Sequence, residues 1–168
     1  MAKRILHAGC GGESLPPWLA GEEVRLDIDP ECKPDIVASM TDMGEIGPFD
    51  AVLACHALEH LYPHDVPVAL AEFLRVLRGG GVAIVIVPDL EDVRPTEEVL
   101  YETPAGPVAA LDLYYGFRPR LEARPHMAHH TGFVAATLEK ALAAAGFQAI
   151  RTERMSGWNL MGIGLKPA

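Results

Sequence analysis

The chain has 168 residues, a length that suits one domain. Its 49% hydrophobic and 22% charged residues make a globular composition, which excludes a disordered or collagen-like chain. The net charge of -9, without a basic stripe, speaks against nucleic acid or an anionic membrane as the main partner. Lys3 to Ala8 reads as a first strand, ending at Gly9-Cys10-Gly11-Gly12, a tight loop. Leu15 to Ala20 reads as a weak short helix, damaged at its start by Pro16-Pro17. Glu23 to Ile28 alternates as a second strand closed by Asp29-Pro30, and Asp35 to Ala38 is a brief third.

Phe49 to Cys55 is a mostly apolar fourth strand. From Pro63 to Leu77, Val66, Leu70, Phe73, Leu74 and Leu77 mark one face of a helix that Gly79 stops. Val82 to Val87 is a β-branched run of the kind found inside parallel sheets with helices on both sides. Five prolines interrupt residues 89–132, where short helices are expected around 91–101 and 106–115. Phe133 to Ala145 is an alanine-rich helix capped by Gly146. Phe147 to Arg151 and Asn159 to Leu165 are two closing strands around a Ser156-Gly157 hairpin. This order implies a doubly wound α/β sheet in one domain, residues 1–168, with 89–132 as an excursion covering the substrate.

In such sheets ligands bind beyond the carboxyl ends of the strands. The Gly9 loop lets a ligand approach the backbone, and Asp27 offers a carboxylate to a ribose diol. Cys55-His56-Ala57-Leu58-Glu59-His60 follows the fourth strand and falls beside that loop. Together these favour adenosine binding. A dinucleotide fingerprint is disfavoured, because Ser14 holds its last glycine position and Pro16-Pro17 spoil the helix that would receive a pyrophosphate.

Leu6-His7-Ala8-Gly9-Cys10-Gly11-Gly12 resembles motif I of the class I S-adenosylmethionine-dependent methyltransferases. Leu26 to Pro30 looks like their acidic second-strand motif, and Phe49 to Leu61 is similar to their fourth-strand motif. Glu72 to Gly81, Thr131-Gly132-Phe133 and Ala145-Gly146-Phe147 extend the match in order. The resemblance implies a mostly parallel seven-stranded Rossmann-like sheet with an antiparallel last strand. It implies methyl transfer from S-adenosyl-L-methionine to a small-molecule acceptor by in-line displacement. The cofactor-binding residues it implies are His7, Ala8, Gly9, Cys10, Gly11, Asp27, Ile28, Ser39, Met40, Cys55, His56 and His60. His7 and Ser39 depart from the family pattern, which often has acids there; Asp42 is a candidate substitute for Ser39.

His129 and His56 are the candidate general bases. His60 reads equally as a site residue or as a partner for a helix backbone. Glu59 reads as a structural or helix-start residue. His126, His129 and His130 read as lining for an acceptor pocket or as a cap for the helix near Phe133, and no metal is expected. Arg118, Arg120 and Arg124 read as surface charges or as a clamp on an anionic acceptor. Tyr114 and Tyr115 read as core or interface residues.

Cys10 and Cys55 read as buried packing residues. Three cysteines without a CxxC pair argue against a disulfide framework. The first residues lack a signal-peptide run and no stretch is long enough to span a bilayer, so a cytoplasmic location is expected. With no N-terminal lid helices before the first strand, residues 89–132 are expected to roof the acceptor, and a second copy has room to complete that roof as a homodimer. Two other classes stand beside the enzyme: a non-catalytic methyltransferase-like module that stabilises a partner protein, and a nicotinamide oxidoreductase.

Overall fold

The computed structural model of the chain describes residues 2–168. Four parallel strands build the first half: β1 (Arg4–Ala8), β2 (Glu22–Asp27), β3 (Ile36–Val37) and β4 (Phe49–Cys55). Helix α1 (Val66–Val76) leads into β5 (Leu77–Pro88), which pairs parallel to β4. After the excursion, α3 (Ala135–Ala145) leads to the hairpin of β8 (Gln148–Met155) and β9 (Asn159–Leu165). The sheet has seven strands in the order β3-β2-β1-β4-β5-β9-β8, and β9 runs antiparallel to both neighbours. This is the fold expected. The order reverses between β1 and β4, where a crevice forms at the strand ends.

Alternation sorts the side chains of the central strands. Ala83, Val85 and Val87 face the helices with Leu70, Phe73, Leu138 and Leu142, all buried. Helices α1 and α3 pack on each other and so share one face of the sheet. On the opposite face Leu53, Ile84 and Ile86 meet Leu15 and Leu19. Those two leucines belong to a turn-rich loop; the helix expected over 15–20 does not form, because each proline drives the residue before it, Leu15 and Pro16, out of the helical region. The helix α1 ends before Gly79, and the glycines Gly79, Gly80 and Gly81 instead continue β5.

Residues 89–132 form a unit with its own small core around Val93, Val108, Ala110 and Leu113. A hairpin of β6 (Val99–Thr103) and β7 (Gly106–Ala109) precedes α2 (Ala110–Tyr115). The helix expected over 91–101 is therefore a turn and a strand, and the one expected over 106–115 begins only at Ala110. The two ends of the unit meet: the Leu90 N–H donates to the Phe133 carbonyl at 3.1 Å, and Asp89 pairs with Phe133. No helix among the described residues is long and apolar enough to cross a membrane.

Asp112 ties this unit together. Its carboxylate accepts from the Ala109 N–H at 2.8 Å and from Arg118 Nε at 2.7 Å, while Arg118 also grips Glu97 at 2.9 and 2.7 Å. Arg118 is thus a structural cation rather than an acceptor clamp. Burial works to raise the pKa of Asp112, but Arg118 and the backbone donors outweigh it and hold the carboxyl below its usual value. The folded value is depressed, so the stabilisation is complete above the unfolded pKa of about 3.9 and is lost as pH falls through the folded one. Limited proteolysis on an acid series should cut within 89–132 first, below about pH 4. Asp112→Asn should produce the same cuts at neutral pH, at a local cost of about 1–3 kcal/mol. Identical cleavage of variant and parent across the series would refute the assignment.

Candidate active site

The first four strands deliver their carboxyl ends to one crevice. The Gly9 and Cys10 amides both donate to the Leu26 carbonyl, at 2.8 and 3.1 Å, which folds the loop after β1 across the end of β2. Gly9 sits at φ +67°, and a Cβ there would lie 2.5 Å from the Ala57 Cβ, so only glycine lets the two loops touch. Gly11 sits at φ +52° with open space where a Cβ would go.

Asp27 closes β2. Its Oδ2 accepts from the Gly11 N–H at 2.7 Å and its Oδ1 from the Asp29 N–H at 2.9 Å. Two backbone amides thus fix the carboxylate at the cavity wall, and each oxygen keeps a lone pair for a ligand hydroxyl. Gly11 itself is held from the far side, where Arg25 donates to its carbonyl at 2.7 Å.

The cavity measures about 550 Å³, within the usual range for a small-molecule site. Gly9, Cys10, Gly11, Asp27, Ile28, Ser39, Met40, Cys55, His56 and His60 all line it. His7 and Ala8, also expected here, do not. His7 is buried in β1 with Nδ1 2.8 Å from Glu23 Oε1, because strand alternation puts the two on the same face of the sheet. Asp42 is likewise outside the lining; Ser39 bonds Thr41 at 2.7 Å. Glu13 and Asp29 add carboxylates to the wall, and the excursion contributes Arg124, His126, Met127 and His130. Tyr62 and His130 stack with centroids 4.2 Å apart, bridging floor and roof. Tyr62 did not stand out in the sequence, and its contact with His130 joins segments far apart in the chain.

A second cavity of about 310 Å³ shares His56, His60, Arg124 and Met127 with the first. Tyr101, Leu113, Phe117, Arg120, His129 and Trp158 are among its other wall residues, and most of that wall comes from residues 89–132. His56 stands among the residues shared by both cavities, with φ +49°, a left-handed conformation uncommon outside glycine. Its Nδ1 lies 3.3 Å from Oε1 of Glu59. Burial works to lower the pKa of His56, but the hydrogen bond and charge of Glu59 win and hold it above its usual value.

Burial depresses His129, which stays neutral more readily than a free imidazole. Burial also works to raise Glu59, yet His56, and more weakly His60 and His129, keep it ionised below the usual carboxylate range. The thiols are inert: burial pushes Cys10 and Cys55 each up to about 11. None of the neighbouring histidines caps α3, whose first turn is closed by Thr137 through the Val134 N–H at 3.0 Å. Tyr114 packs in the small core and donates to the Val93 carbonyl at 2.6 Å.

The methyltransferase domain family model matches residues 6–85. No curated protein sequence matches the chain. Many solved structures do. The 1,6-didemethyltoxoflavin-N1-methyltransferase of Burkholderia thailandensis, solved with 1,6-didemethyltoxoflavin and S-adenosylhomocysteine, is 16% identical. That match covers 99% of this chain and 72% of that one, with a TM-score of 0.66. Human N-acetylserotonin methyltransferase, solved with S-adenosylmethionine, is 13% identical over 99% of this chain and 48% of its own, with a TM-score of 0.69. A structure of the Haloferax volcanii Trm112 methyltransferase activator in complex with a methyltransferase matches at 14% identity. It covers 99% of this chain and 84% of that one, with a TM-score of 0.64. The chain spans about half the length of several of the structures it matches.

Proposed function

We propose that this chain, which has the fold of the class I S-adenosylmethionine-dependent methyltransferases, moves a methyl group from S-adenosyl-L-methionine to a small-molecule acceptor. One observation carries the reading: a carboxylate held by two backbone amides stands beside a glycine bend, in a cavity that shares His56, His60, Arg124 and Met127 with a second one. The wall suits this cofactor. Glu13, Asp27 and Asp29 favour a cationic ligand, and no helix N-terminus waits for a phosphate after β1.

When bound, the cofactor supplies a methyl group already activated on sulfonium, open to in-line attack by an acceptor nucleophile. Asp27 would hold the ribose, and Ile28 and Met40 would flank the adenine. The Gly9–Gly11 bend would take the amino-acid tail, with Cys55 and His56 beside the methyl. What remains for the protein is alignment and exclusion of water. His56 is the proposed general base, because of the two candidates it alone faces both cavities. His129 lies wholly in the second cavity, where it would face the acceptor.

Calorimetry with S-adenosylmethionine should show binding heat at one site per chain, and a screen with labelled methyl donor should identify an acceptor. Absence of heat sinks this reading and leaves the alternative of a non-catalytic module that supports a partner. Once an acceptor is in hand, His56→Ala should lower turnover by roughly 10²–10⁴-fold while cofactor heat persists. Unchanged turnover would remove His56 from the chemistry.

A further inference from the structure

Glu59, at 1% exposure, presents a polar atom that nothing satisfies. Its Oε1 faces His56, while its Oε2 is buried without any hydrogen-bond partner. No lysine or arginine pairs with Glu59 among the described residues; its charged neighbours are all histidines. A buried carboxylate oxygen with no donor is a costly arrangement and asks for a missing partner.

Two rings lie beside the same carboxylate, with His129 Nε2 4.0 Å from its Oε1. His60 Nδ1 lies 3.2 Å from the Ala128 carbonyl, and His129 Nδ1 lies 2.9 Å from the Leu113 carbonyl. A carbonyl only accepts, so in each ring Nδ1 carries the proton that bonds it, which leaves Nε2 as the atom able to meet a cation. An imidazole that gives its far N–H to a backbone carbonyl is the usual support of a metal ligand. The ligand atoms of Glu59, His60 and His129 lie within 4.8 Å of one another. Bonds of about 2.1 Å place ligand atoms roughly 3–4 Å apart, so binding draws the three slightly inward.

The backbone fixes this meeting of distant segments. The His130 and Thr131 amides donate to the Glu59 carbonyl at 2.9 and 3.1 Å, and Thr131 Oγ1 donates to the Leu61 carbonyl at 2.7 Å. His129 is thereby clamped against the turn Leu58–His60 that carries the other two ligands.

We propose that Glu59, His60 and His129 bind a first-row divalent cation of the zinc class. Two imidazoles and one carboxylate suit such ions better than magnesium or calcium, which prefer oxygen shells. Three protein ligands leave a coordination position open, and Glu59, His60 and His129 all line the second cavity. Resting on the methyl-transfer reading, the site selects acceptors that present an oxygen or nitrogen lone pair to the cation, which lowers the acceptor's pKa beside the methyl.

The test is direct titration of chelator-stripped protein. Cobalt(II) should develop visible absorption bands, and zinc should give calorimetric heat, each saturating at one equivalent per chain. His129→Ala and Glu59→Gln should each weaken binding at least 100-fold. Where Glu59→Gln fails to fold by circular dichroism, His60→Ala replaces it. Binding no tighter than millimolar, or one-equivalent binding that survives His129→Ala and a second variant, would overturn the proposal. S-adenosylmethionine heat on the parent protein separates the two readings. If it persists while metal fails to bind, only the cation site falls; if it is absent while metal binds, the site stands and the acceptor role falls.

Discussion

Asp27→Asn should reduce affinity for S-adenosylmethionine by at least about 100-fold, the equivalent of roughly 3 kcal/mol. Two hydrogen bonds from ribose hydroxyls to an ionised acceptor account for that size, at about 1.5–3 kcal/mol each. The variant also unsettles the protein. The Gly11 and Asp29 amides each use one carboxylate oxygen, and asparagine offers only one oxygen to the pair. One amide must then face an NH₂ group or swing to solvent, and the loop after β1 loosens. Calorimetry reads the first effect and thermal unfolding the second. Affinity within threefold of the parent would place the ribose somewhere else.

Gly9→Ala should cost about 3 kcal/mol of folding stability, from two independent sources. The left-handed backbone at φ +67° penalises a Cβ by roughly 1–2 kcal/mol. The new methyl would also sit 2.5 Å from the Ala57 Cβ, well inside the ordinary carbon contact of about 3.5–4 Å. Overpacking of this kind typically costs about 1–3 kcal/mol. The double variant Gly9→Ala with Ala57→Gly removes the collision and leaves the backbone penalty. Urea unfolding should therefore place it between the parent and the single variant. A double variant no more stable than Gly9→Ala would show that the collision is not what excludes a side chain.

Local chemistry made much of this molecule readable. Phe49 to Cys55 and Asn159 to Leu165 end as strands where proline, glycine or a polar turn interrupts their apolar pattern. Gly9, Gly11 and Asp27 were legible as a site because a bend and a carboxylate at strand ends have meaning even before the sheet is assembled. The failures share a cause. Val93, Leu100 and Tyr101 suggested a helix, yet they serve a small core completed by the distant Val108, Leu113 and Trp158. Leu15 and Leu19 look helical and are instead pegs for the bare side of β4 and β5. His7 was misread because the glycine loop beside it outweighed the alternation that turns it to Glu23. Glu59 does sit in the first turn of a short helical segment, as read, but its closeness to His129 depends on nonlocal backbone bonds that no local pattern shows.

The excursion leaves the sheet at Asp89 and returns at Phe133, and those residues pair side by side. A segment whose two ends already touch is a cassette. Its removal or exchange asks little of the host, since the entropy of closing the break grows only as the logarithm of what is inserted. Most of the second cavity's wall travels with that cassette, whereas Asp27 and the glycine bend stay with the sheet. Grafting a foreign segment between positions 90 and 132 would therefore replace most of the second cavity's wall, together with Arg124, His126, Met127 and His130 of the first, while Asp27 and the glycine bend remain in place.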